Sequence, residues 1–110
     1  MKLLLKSCIP AERTISIGAL EKAVWALRRG ERLAPVEYQA LGGGLFLITR
    51  GCARCTAAAL VGRSTLEGVR TRAPRKRVAQ FLGQERMGRG AFMRLPVAET
   101  ASLRLQAHGP

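Results

Sequence analysis

The chain contains no aspartate and a single histidine, His108, at the third position from its C-terminal end. Acid–base or hydrolytic catalysis needs a group poised near neutrality beside a reacting partner. The only carboxylates are Glu12, Glu21, Glu31, Glu37, Glu67, Glu85 and Glu99, and they are scattered without a close pair. The expectation is a protein that is not an enzyme. Aromatic residues are also few at 5% (Trp25, Tyr38, Phe46, Phe81 and Phe92), so a core must rest on Leu, Val, Ile and Ala. Long hydrophobic runs are missing as well. The longest uncharged apolar stretch, "ALGGGLFLIT" at 40–49, falls far short of the roughly 20 residues that span a bilayer. "MKLLLKSCIP" begins like an export signal, but Lys6 ends the apolar stretch after three leucines. Three cysteines, an odd number without an export signal, fit a reducing compartment. A cytoplasmic location is expected.

What the sequence has in excess is positive charge. Nineteen Lys and Arg stand against seven acids, a net charge of +12, so many cations have no acid to pair with. Such a surplus repels itself, and a polyanion relieves it: nucleic acid, an anionic membrane or an acidic protein face. Fifteen of the nineteen are Arg, which suits bidentate phosphate contacts, although a GC-rich gene also favours Arg, Ala and Gly. The surplus is uneven. Between positions 63 and 94 lie Arg63, Arg70, Arg72, Arg75, Lys76, Arg77, Arg86, Arg89 and Arg94 against Glu67 and Glu85, a local net of +7, whereas the first fifty residues carry +4. "RTRAPRKR" at 70–77 is the densest part.

At 47% hydrophobic content the chain can bury a core, and 110 residues fit one domain, 1–110. "KLLLKSCI" (2–9), bounded by Pro10, reads as an edge or first strand, whose exposed side can pair across a dimer. "SIGALEKAVWALRRGE" predicts a helix over 17–29: Ser16 caps it, Ile17, Leu20, Val24 and Leu27 form its apolar stripe, Arg28 and Arg29 suit its last turn, and Gly30 stops it. Trp25 lies beside that stripe. "VEYQALGGGLFLITRG" changes to period two around three glycines and predicts a β-hairpin. Gly42–Gly44 lacks the Lys and Ser/Thr of a phosphate-binding loop.

Beyond Gly51 the pattern is less regular. "TAAALVG" (56–62) fits a third strand or a helical turn, and Ser64 with Glu67 has capping-box spacing that Gly68 undermines. Pro74 can open a short helix through 83; 84–90 reads as a loop, 91–97 as extended up to Pro96, and 102–107 as a last strand in a tail, 102–110, open to fraying. The expected fold is α+β, one main amphipathic helix packed on a short, mainly antiparallel sheet.

Cys52 and Cys55 form a C-x-x-C, the spacing of two thiolates on one metal or of a redox pair. A structural zinc would need Cys8 and His108 as well, from opposite ends of the chain. A redox role would want the motif to open a helix, which the flanking glycines and hairpin do not suggest. Buried or turn cysteines are the simpler reading, and no cofactor is expected. The basic cluster carries the functional expectation. It predicts contact with the RNA or DNA backbone through residues 63–94, with gain from counterion release, in a nucleoprotein or viral assembly. Gly88 and Gly90 around Arg89 resemble the flexible Arg-Gly spacing of RNA-moulding segments, and Phe81 and Phe92 are candidate stacking faces. The alternative is a non-enzymatic interaction module, a phage- or plasmid-type inhibitor or structural subunit, docking on an acidic protein surface.

Overall fold

The computed structural model describes residues 1–72 and 89–96, with only the backbone of 89 and 90. Its elements run β1 (Lys2–Leu4), a 3-10 turn (Leu5–Ser7), β2 (Cys8–Pro10), α1 (Ile17–Arg28), β3 (Val36–Gly42), β4 (Leu45–Arg50), α2 (Cys52–Leu60), β5 (Thr65–Arg70) and α3 (Arg89–Met93). The strands form one five-stranded sheet in the order β1-β5-β3-β4-β2.

The N-terminal segment is not the single strand its pattern predicts. β1 pairs antiparallel with β5, at Leu3↔Leu66, and β2 pairs parallel with β4, at Ile9↔Leu47. Consecutive strands therefore occupy opposite edges of the sheet. A three-residue turn can join them only because the sheet curls until its edges meet. The Leu5 amide, donating to the Ser64 carbonyl at 2.9 Å, holds the crossing point. Leu3, Leu5 and Cys8 point into the curl and are buried. Both edges are three residues long, too short to template another chain easily.

Sheet and helices differ from the expected arrangement in two further ways. The sheet is mixed: β3 pairs antiparallel with β4, but β3 with β5 and β2 with β4 are parallel. Parallel neighbours need long crossovers, and α1 and α2 lie in those crossovers. Among the described residues there are also two substantial helices, packed on each other, rather than one. "TAAALVG" belongs mostly to α2, whose Cys52, Cys55, Thr56, Ala57, Ala58 and Ala59 are all buried. Alanine is the strongest helix former and has no branched side chain to favour a strand.

α1 and the hairpin match expectation. The Ser16 hydroxyl accepts from the Ala19 amide at 3.3 Å. At the other end Gly30, at φ +76°, donates to the Leu27 carbonyl while the Glu31 amide reaches Ala26, a Schellman closure. α2 closes in the same way through Gly62 at φ +86°. At the hairpin tip Gly43 and Gly44 both have positive φ, as a two-residue type I′ turn requires.

α3 corrects the loop and extended readings of 84–90 and 91–97 over Arg89–Met93. Phe92 is fully buried there, and the buried Thr56 hydroxyl lies 3.1 Å from its carbonyl, tying α3 to α2. Ser64–Glu67 does not cap a helix, because Thr65–Arg70 is strand β5. Gly68 fits this strand for a packing reason: a Cβ there would lie 2.5 Å from Leu3 Cδ1 and 3.1 Å from Tyr38 Cδ1. The core joins Leu3, Leu5, Val36, Tyr38, Ile48 and Phe92 with the inner face of α2. The expected helix over 75–83 and strand over 102–107 lie outside the described residues.

Candidate nucleic-acid interface

Of the nine cations in the predicted cluster, Arg63, Arg70, Arg72 and Arg94 have described side chains, and all four are exposed. Arg75, Lys76, Arg77, Arg86 and the side chain of Arg89 lie outside the described residues. Arg63 follows α2 and precedes β5, whereas Arg70 ends β5 and Arg72 comes just after it. Six strand residues at about 3.3 Å each put roughly 17 Å between those two ends. Arg63 and the Arg70–Arg72 pair thus stand at separate places on the surface.

Arg63 has partners that its sequence neighbourhood does not reveal. A groove of about 740 Å³ opens between the β1/β5 edge, the end of α2 and the loop from α1 to β3, with Lys2, Arg32, Arg54 and Arg63 in its lining. Strand order does this: β1 lies beside β5, so Lys2 stands opposite Glu67 and near the start of the strand that Arg63 precedes. Glu31 and Glu67 also line the groove, as do Leu27, Leu33, Pro35 and Leu66.

The acids at the groove are already engaged. Glu67 Oε2 is 3.4 Å from the Met1 ammonium, and Glu31 Oε2 takes the Arg29 Nε–H at 2.6 Å. Arg54 braces the groove: its Nη1 donates to the carbonyls of Ala34 and Pro35, each at 2.8 Å, and so shapes the loop wall. Lys2, Arg32 and Arg63 make no ion pair among the described residues. What the groove offers is three cations without an ion pair among the described residues, beside an apolar strip. The sequence pattern does not point to Lys2 and Arg32, because each stands far from the 63–94 cluster along the chain.

The C-x-x-C motif does open a helix, contrary to expectation, since Cys52 is the first residue of α2. The thiols are nonetheless poorly placed for chemistry. Cys8, Cys52 and Cys55 are free and buried at 1% exposure or less. Burial pushes the Cys8 and Cys52 thiols up to about 12 and the Cys55 thiol well above its usual value, opposing the thiolate that redox or metal chemistry uses. Among the described residues no three His, Cys, Asp or Glu side chains are grouped to hold a metal ion. Phe92 is buried and cannot serve as a stacking face, while Phe81 lies outside the described residues. Among the described residues no helix is long and apolar enough to cross a membrane. No family model and no curated protein matches the chain, so its function is read from its own residues.

Proposed function

We propose that the protein is a non-enzymatic nucleic-acid-binding module that grips the RNA or DNA backbone at the groove lined by Lys2, Arg32 and Arg63, with the rest of the 63–94 cluster extending the contact. The observation that carries this reading is the convergence, from three parts of the chain, of three cations that make no ion pair among the described residues, while Glu31 and Glu67 beside them are paired with Arg29 and the Met1 ammonium. Phosphate contacts of this kind fix position and carry no base information, so binding tolerates any sequence.

A panel of alanine variants tests it. Lys2→Ala, Arg32→Ala and Arg63→Ala each weaken binding of a labelled strand several-fold, equally for unrelated sequences. Arg13→Ala removes an exposed cation that does not line the groove and leaves affinity within about twofold. Equal losses from all four variants would mean that net charge alone matters and would remove the groove from the account.

A second reading rests on the groove's apolar strip of Leu27, Leu33, Pro35 and Leu66, which suits an acidic protein segment with hydrophobic anchors. In that case Leu33→Ala costs more than Lys2→Ala, and nucleic acid competes poorly for the site.

A further inference from the structure

Resting on the nucleic-acid reading above, we propose that Trp25 is a stacking platform for an unpaired base, and that the ligand is a single strand whose phosphates lie over Lys22 and Arg28. Trp25 is the only tryptophan of the chain and is 49% exposed on α1. Lys22 and Arg28, three residues before and after it, are exposed neighbours on the same helix face. Its indole N–H already donates to Glu21 Oε1 at 3.3 Å, which leaves the aromatic surface as what the side chain offers a partner.

The platform and the groove lie on different sides of α1: Leu27, which lines the groove, follows Trp25 by two residues and so projects about 200° round the helix from it. Trp25 lies about 7 Å along the helix axis from Gly30, which lines the groove, and Arg29 between them is paired with the groove residue Glu31. A ring with an exposed cation three residues to either side, and with the Glu21 carboxylate confined to its N–H edge, leaves a π face that can take a splayed base while the flanking phosphates meet the two charges. A base paired inside a duplex presents no free face, so the geometry selects single strands.

Trp25 emission reports its own site. Binding of a short oligo(dT) strand should quench it, and Trp25→Ala should weaken that binding roughly 5- to 100-fold, with Trp25→Phe recovering most of the loss. Binding of a blunt duplex should change less than about twofold in the same variant, and the salt slope should stay as it is because no charge is removed. Far-UV circular dichroism confirms that the variants are folded. Unquenched emission in the parent together with parental oligo(dT) affinity in Trp25→Ala, while Arg63→Ala still weakens binding, overturns the stacking platform and leaves the groove standing. Failure of the parent protein to bind any strand removes both. Quenching by an acidic polypeptide but not by oligo(dT) overturns the proposal in favour of a protein partner.

Discussion

Replacing Gly51 by alanine should destabilise the fold in two ways that a second glycine separates. Gly51 joins β4 to α2 at φ +106°, where an L-residue is strained by about 1–2 kcal/mol. Its Cβ would also stand 2.7 Å from Val36 Cγ1 and 2.8 Å from Arg54 Nη2. The arginine tip can shift, at the expense of its hold on Ala34 and Pro35, but Val36 is 1% exposed in the core and has nowhere to go. Overpacking of this kind adds about 1–3 kcal/mol, for a total of about 2–5 kcal/mol. Gly30, at φ +76°, has nothing within 4 Å of its would-be Cβ, so Gly30→Ala carries the backbone cost alone. At about 5 °C per kcal/mol for a chain of this size, thermal melts followed by circular dichroism should fall about 10–25 °C for Gly51→Ala and about 5–10 °C for Gly30→Ala. Equal losses in the two variants would refute the steric argument and the packing of Val36 that it rests on.

Two further outcomes follow from the core. Gly68→Ala should cost about 1–3 kcal/mol, read as a lower urea midpoint, because its Cβ meets Leu3 at 2.5 Å inside the curl; an unchanged midpoint would mean that β1 does not close the sheet there. The three buried thiols should react with a thiol reagent only after denaturation. Because burial raises the folded values of Cys8 and Cys52 from 9.0 to about 12, the unfolded chain releases these protons first. The stability they contribute is full below pH 9 and falls by about 1.4 kcal/mol per pH unit per thiol between 9 and 12. Fast labelling of the native protein, or urea midpoints that hold steady from pH 8 to 10, would contradict this.

The parts of the fold that are legible in sequence are those whose signals are local. Ser16 and Gly30 bracket α1, and three consecutive glycines announce the turn between β3 and β4. α2 has no comparable signal: "TAAALVG" leaves out the cysteines that begin the helix, and three consecutive alanines show no alternation of polar and apolar residues from which a period could be read. The division of residues 2–10 between two sheet edges has no local signature at all; it follows from closure of the sheet by β5, some sixty residues later. The same long-range pairing limits what composition reveals about the site. The charge surplus is visible and points to a polyanion, but the grouping of Lys2 and Arg32 with Arg63 depends on β1 lying beside β5 and on the loop that Arg54 holds. Trp25 is identifiable in sequence as lying off the apolar stripe, while its place between two exposed cations emerges only with the helix face in view.

The most direct test of the central claim is the affinity for a random-sequence oligonucleotide measured across a range of salt concentrations. Three phosphate contacts at the groove predict a log–log slope of about −2 or steeper for a single strand, and Arg32→Ala should flatten it by about 0.7. A slope near zero, or the same slope in parent and variant, would contradict the account.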